Sequence, residues 1–165
     1  MHNIWFNHND IRLRKNVESN NIQGYVLPHA STQYTGNIIS HTLQFKPTKF
    51  FDKIYIIYYP SHKQPNIDKY YHEYYVPFSS LKYIARYQWK IYGIKFIDVN
   101  INEYDISKIT LKDALIVVSA DFSHHLSLNK AIELENKAAQ GLMFRDLNKS
   151  HMKVVDDVKS FEILY

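Results

Sequence analysis

Three of the nine histidines in this chain follow a short apolar run and a turn residue. GYVLPHAS sets His29 just past one run, IYIIYYPSHK sets His62 just past a second, and ALIVVSADFSHH ends a third with Asp121, His124 and His125. Neutral imidazole is the commonest metal ligand near neutral pH. Two histidines and a carboxylate facing open positions suit iron(II), with zinc and copper as alternatives. The same groups suit acid–base work. A single loop histidine is usually just solvated, and an acid such as Asp121 can cap a turn or orient a histidine by accepting its N–H. What sets this group apart is the same placement at three separate positions.

The elements that must present these side chains are readable from hydrophobic patterning. Gln23–Leu27, Lys53–Tyr59, Ile94–Ile101 and Ala114–Ala120 are short β-branched and aromatic runs with almost no interior charge, as in strands covered on both faces. Helical patterns fall between them at Asn37–Phe45, at Pro77–Tyr92 with Pro77 in the first turn, and at Ser127–Leu147. In the last of these, Leu128, Ile132, Ala139, Leu142, Met143 and Leu147 form an apolar stripe expected to face the core. VVDDVKSFEILY reads as one more strand and a terminal segment. Alternating strands and helices predict an α/β fold, a three-layer sandwich with a largely parallel or mixed central sheet and flanking helices. In such a sheet the loops beyond the carboxyl ends of the strands form the ligand crevice, so His29, His62 and His124 are expected to converge there.

Composition narrows the function classes. There are no cysteines, which excludes disulfides, thiolate ligands and cysteine nucleophiles and agrees with a reducing, cytoplasmic setting. The net charge of +4 comes from 20 basic and 16 acidic residues scattered along the chain, so it marks no nucleic-acid or membrane surface. No apolar run approaches the roughly 20 residues of a membrane span, and MHNIWFNHNDIRLRK has no signal-peptide core. No linker or repeat divides the chain, which is read as a single domain over 1–165. Tyrosine is abundant at 14 residues, alongside much Asn, Ile and Lys, as AT-rich coding produces. Nucleic-acid binding, suggested by YYHEYY and RYQWKIYG, is the least favoured reading, because Tyr83, Tyr87 and Trp89 suit helical packing against the sheet. HEYYV lacks the second histidine of a zinc-protease helix, and no phosphate-binding loop, dinucleotide fingerprint or nucleophile elbow is present.

Taken in order, these segments resemble the MEMO-like family over roughly Gly24 to Arg145. GYVLPHASTQYTGNIISHTL is similar to that family's strand, PHAGY-type turn and small-residue helix. KIYIIYYPSH resembles its strand ending in GPSH, and VVSADFSHH resembles VSSDFCHW or SSDLSHY. AIELENKAAQG resembles the helix that follows, and DKYYHEYYVPF more weakly resembles DEHSIEMHLPY. The resemblance implies a fold like that of the class III extradiol dioxygenases and a metal pocket. His29 and His62 match the metal-binding histidines, Asp121 and His124 the pocket aspartate and histidine, and Glu73 the glutamate of the last pattern.

Two positions depart from the family. Tyr70 stands where it has a histidine, and its C-terminal cysteine ligand has no counterpart in this chain, which ends at Tyr165. The resemblance therefore implies a domain shortened at the C-terminus, in which His124 or Asp121 completes a changed site or metal binding has been lost. One expected function is a non-haem iron oxidoreductase of dioxygenase type. His29, His62 and His124 would hold the metal, and Asp121, His124 and Glu73 would be the catalytic groups. The other is a non-catalytic module binding iron, copper or a small-molecule or peptide ligand, such as a phosphotyrosine peptide. A homo-oligomer is compatible with both.

Overall fold

The computed structural model describes residues 5–60, 71–148 and 151–164. Among the described residues there are six strands: β1 (Val17–Ser19), β2 (Gly24–Leu27), β3 (Phe45–Pro47), β4 (Lys53–Tyr58), β5 (Lys95–Asn100) and β6 (Ala114–Ser119). The helices are α1 (Thr32–Thr42), α2 (His72–Ile84), α3 (Leu128–Met143) and α4 (Val158–Phe161). Four strands form one all-parallel sheet in the order β2-β6-β4-β5, and β1 and β3 make a separate parallel pair. These four are the predicted strands, trimmed by a residue or two at their ends.

Both faces of the sheet are covered, which explains the continuous apolar character of its strands. Alternate side chains diverge: Leu27, Ile54, Ile56, Leu115 and Val117 pack with Ile39 and Leu43 from α1 and its end and with Val76, Leu81 and Ile84 of α2. Tyr55, Ile57, Val99, Ile116 and Val118 point the other way, toward Ala138 of α3, Phe161 of α4, Met152 and Val154. Chain segments thus lie on both sides of an α/β sheet. Among the described residues, no helix is long and apolar enough to cross a membrane.

Several local expectations are corrected. Helix α1 begins at Thr32 rather than Asn37, and α2 at His72 rather than Pro77. Pro77 therefore lies inside α2, where its missing N–H leaves the Glu73 carbonyl without its helical partner. Beyond Ile84 the chain widens into a π-helical turn, Ala85–Trp89, whose Gln88 Nε2 and Trp89 Nε1 both donate to the Leu43 carbonyl, at 3.1 and 2.8 Å. That turn ties the end of α2 to the end of α1. The predicted C-terminal strand is instead a turn followed by α4, because Asp157 caps the helix: its side chain accepts from Ser160 N at 3.0 Å and from Ser160 Oγ. The predicted core stripe of Ser127–Leu147 holds only in part, since Leu142 and Leu147 pack against the core while its other members do not. Leu128, Ile132 and Met143 are exposed, and the buried residues are Ala138 and Gly141.

The β2–β6 contact is close enough to require glycine at one position. A Cβ at Gly24 would sit 2.1 Å from the backbone carbonyl oxygen of Ile116, its register partner. Gly24→Ala should destabilise the protein at or above the upper end of the ~1–3 kcal/mol typical of overpacking. Urea unfolding should show a lower midpoint with an unchanged slope; a wild-type midpoint would mean that the two strands separate without cost.

Candidate metal centre

The site forms where β6 changes the direction of the chain. After β2 and β4 the chain turns to the face carrying α1 and α2, whereas after β6 it turns to the face carrying α3. Neighbouring strands that send their connections to opposite faces leave a crevice at their carboxyl ends. His29 lies just past β2 and Asp121 just past β6, side by side across this opening. The His29 N–H donates to Asp121 Oδ1 at 2.8 Å.

His29 is buried, and both its ring nitrogens are engaged. Nδ1 is 3.0 Å from Ser119 Oγ, the last residue of β6. The Ser119 hydroxyl itself donates to the Glu73 carbonyl at 2.5 Å, the carbonyl to which Pro77 has no N–H to donate. A hydroxyl has one proton, so Ser119 Oγ must accept from His29, which puts the proton of neutral His29 on Nδ1. Nε2 then presents a lone pair to the acids beyond it. Those are Asp156 Oδ2 at 3.1 Å and Asp121 Oδ2 at 3.8 Å. A lone pair and a carboxylate repel at such distances unless a cation lies between them, either a proton on Nε2 or a metal ion.

Asp156 belongs to the segment between α3 and α4, and two hydrogen bonds fix it to the β6 loop. Asp121 N donates to Asp156 Oδ1 at 3.0 Å, and Asp156 N donates to the Asp121 carbonyl at 3.2 Å. One ligand atom each from His29, Asp121 and Asp156 lies within 4.8 Å of the others. His124 reaches the same acid from the rim, with Nε2 3.7 Å from Asp156 Oδ2. Its ring is 50% exposed and Asp156 26%, so the cluster opens to solvent on this side.

The predicted residues therefore divide into groups. His29, Asp121 and His124 share one neighbourhood, but His124 faces Asp156 and not Asp121. Glu73 is buried in the first turn of α2, with Oε2 3.3 Å from His72 Nδ1, and acts on His29 through its charge. His125 is exposed in the left-handed conformation, with φ of 54°. His62 and Tyr70 lie outside the described residues. Sequence reasoning missed Asp156, Ser119 and His72, whose ring stacks on Trp5 at 4.5 Å and meets His29 edge-on at 5.4 Å. The spacing Asp157-x-x-Ser160 was the available signal for a helix start in the C-terminal segment.

The donor set fits a divalent transition metal. It offers imidazole nitrogen and carboxylate oxygen without thiolate, and His29 already has its far nitrogen anchored as metal-bound histidines do. Burial pushes the His29 imidazole down, but the hydrogen bond to Asp156 and the charges of Asp121, Asp156 and Glu73 outweigh it and hold the group above its ordinary value. No family model, curated protein or solved structure matches the chain.

The pH dependence follows from that raised value. In metal-free protein the stabilisation from His29 is complete below its unfolded pKa of about 6.5 and is lost as the pH rises through the higher folded value. NMR titration of His29 should show a pKa above that of a free imidazole. Asp156→Asn should lower it and flatten the fall in thermal midpoint across the same window. An unchanged His29 titration in the variant would refute the pairing.

Proposed function

We propose that this protein is a MEMO-like metal protein that holds iron(II), with copper or zinc as alternatives, and supports oxidoreductase chemistry of the non-haem dioxygenase type on a small molecule. The observation that carries this reading is the meeting of His29, Asp121 and Asp156, from three separate chain segments, around a lone pair whose direction Ser119 fixes. His124, on the open side, supplies a second imidazole and with His29 and Asp156 makes a two-histidine, one-carboxylate set.

A metal bound there would supply a Lewis-acidic centre with open positions for substrate. The chain's own residues do the rest. Ser119 keeps the proton of His29 on Nδ1, so that Nε2 remains a donor. Asp121 fixes the backbone of His29 while leaving Oδ2 turned toward the cluster. Where Asp121 rather than His124 completes the ligand set, His124, half in solvent, is instead placed to take a proton from a substrate entering at the rim. Glu73 adds buried negative charge beneath His29, favouring a cation at the site.

The alternative, a module for phosphotyrosine peptides, is less well supported. A phosphate dianion approaching His29 and His124 would also meet Asp121 and Asp156, and like charges at such range repel.

Anaerobic iron(II) titration followed by metal analysis should give about one bound equivalent per chain, and His29→Ala and Asp156→Ala should abolish it. Ser119→Ala should bind the same ion roughly 10–100-fold more weakly, because only ring orientation is lost. Equal loading of wild type and both ligand variants, or none in any of them, would overturn the site. Oxygen consumption with catechol-type substrates then distinguishes turnover from storage.

A further inference from the structure

Helix α3 carries an apolar face that the rest of the described chain leaves uncovered. Leu128 is 74% exposed, Ile132 50% and Met143 74%, and Ala139 is exposed with them. At ~100° per residue these four fall within an arc of about 60°. The buried residues Ala138 and Gly141 lie elsewhere on the helix. The charged residues form a third face and pair among themselves: Glu133 is 2.9 Å from both Lys130 and Lys137.

The spacing of the stripe reads the same in both directions. Steps of four, seven and four residues separate 128, 132, 139 and 143, so the pattern is symmetric about the point between Glu135 and Asn136. A two-fold axis through that point sets Leu128 of one copy against Met143 of the other and Ile132 against Ala139. This is the self-complementarity an isologous contact requires. The rim brings one pair of like charges near each other, Glu135 and its own copy beside the axis. Asn129, Asn136 and Gln140 line one edge, and Glu135, near the axis, is held by Ser123, whose N–H donates to Oε1 at 3.3 Å. The stripe with its amide rim on two copies amounts to on the order of 1,000 Å2, the lower limit for a specific interface.

We infer that α3 is a homodimerisation surface, on which a second copy of this chain packs its own α3 antiparallel across the stripe of Leu128, Ile132, Ala139 and Met143. Leu128 is three residues past His125, so the second copy's Met143 end comes to rest beside the loop that carries His124. The dimer is independent of metal loading and should dissociate in the micromolar range, as a small interface does.

Because the chain has no cysteine, engineered ones report the geometry directly. Asn136→Cys, next to the axis, should oxidise to a disulfide-linked dimer. Leu128→Cys alone should not, since antiparallel pairing separates the two copies of position 128 by about 22 Å along the helix. Leu128→Cys combined with Met143→Cys in one chain should cross-link. Light scattering should give a dimer for wild type at 100-micromolar concentration and a monomer for Ile132→Glu, with the same circular dichroism and the same iron(II) loading. A monomeric wild type, or cross-linking of Leu128→Cys alone at the rate of Asn136→Cys, would overturn the inference.

Discussion

The Ser119 hydroxyl is the pivot of the candidate site. Its one proton goes to the Glu73 carbonyl, so its oxygen can only receive from His29. Pro77, four residues on, has no N–H to compete for the same carbonyl. A helix imperfection on one face of the sheet thereby fixes which nitrogen of a histidine, two elements away, is available as a donor.

That relay depends on the order β2-β6-β4-β5. Placing the last strand in sequence between the first two sets Ser119 beside both the turn after β2 and the first turn of α2. It also puts the change of face between neighbouring strands, where the crevice opens. Side chains from β6 divide cleanly, Leu115 and Val117 toward one layer and Ile116 and Val118 toward the other, so the strand is anchored on both sides. Its end therefore presents Ser119 and Asp121 from a rigid base.

The four central strands were legible in the sequence because burial on both faces leaves an unmistakable apolar run. His29 and Asp121 were legible as groups that follow such runs. Element starts were not, since Pro77 suggested a helix beginning where the chain tolerates a proline well inside one. The stripe on α3 was visible, but only Leu142 and Leu147 of it meet the core: periodicity reports that a face is apolar, not what covers it. Asp156 could not be found by the same logic. It follows no predicted strand, and its role arises from a contact with Asp121, 35 residues away. Ser119 looked like the unremarkable end of an apolar run until its three-way geometry was known.

Two hydrogen bonds between Asp121 and Asp156, one of them to the Asp156 carboxylate, also join the candidate site to the segment that leads into α4, with two acids meeting at the seam. An ion seated between those acids cancels their mutual repulsion, so loading and the docking of α4 become linked equilibria. At a free concentration one hundred times its dissociation constant, such an ion adds about 2.7 kcal/mol to the docked state. With an ion held as proposed, the segment carrying α4 would act as a latch whose grip rises and falls with metal supply.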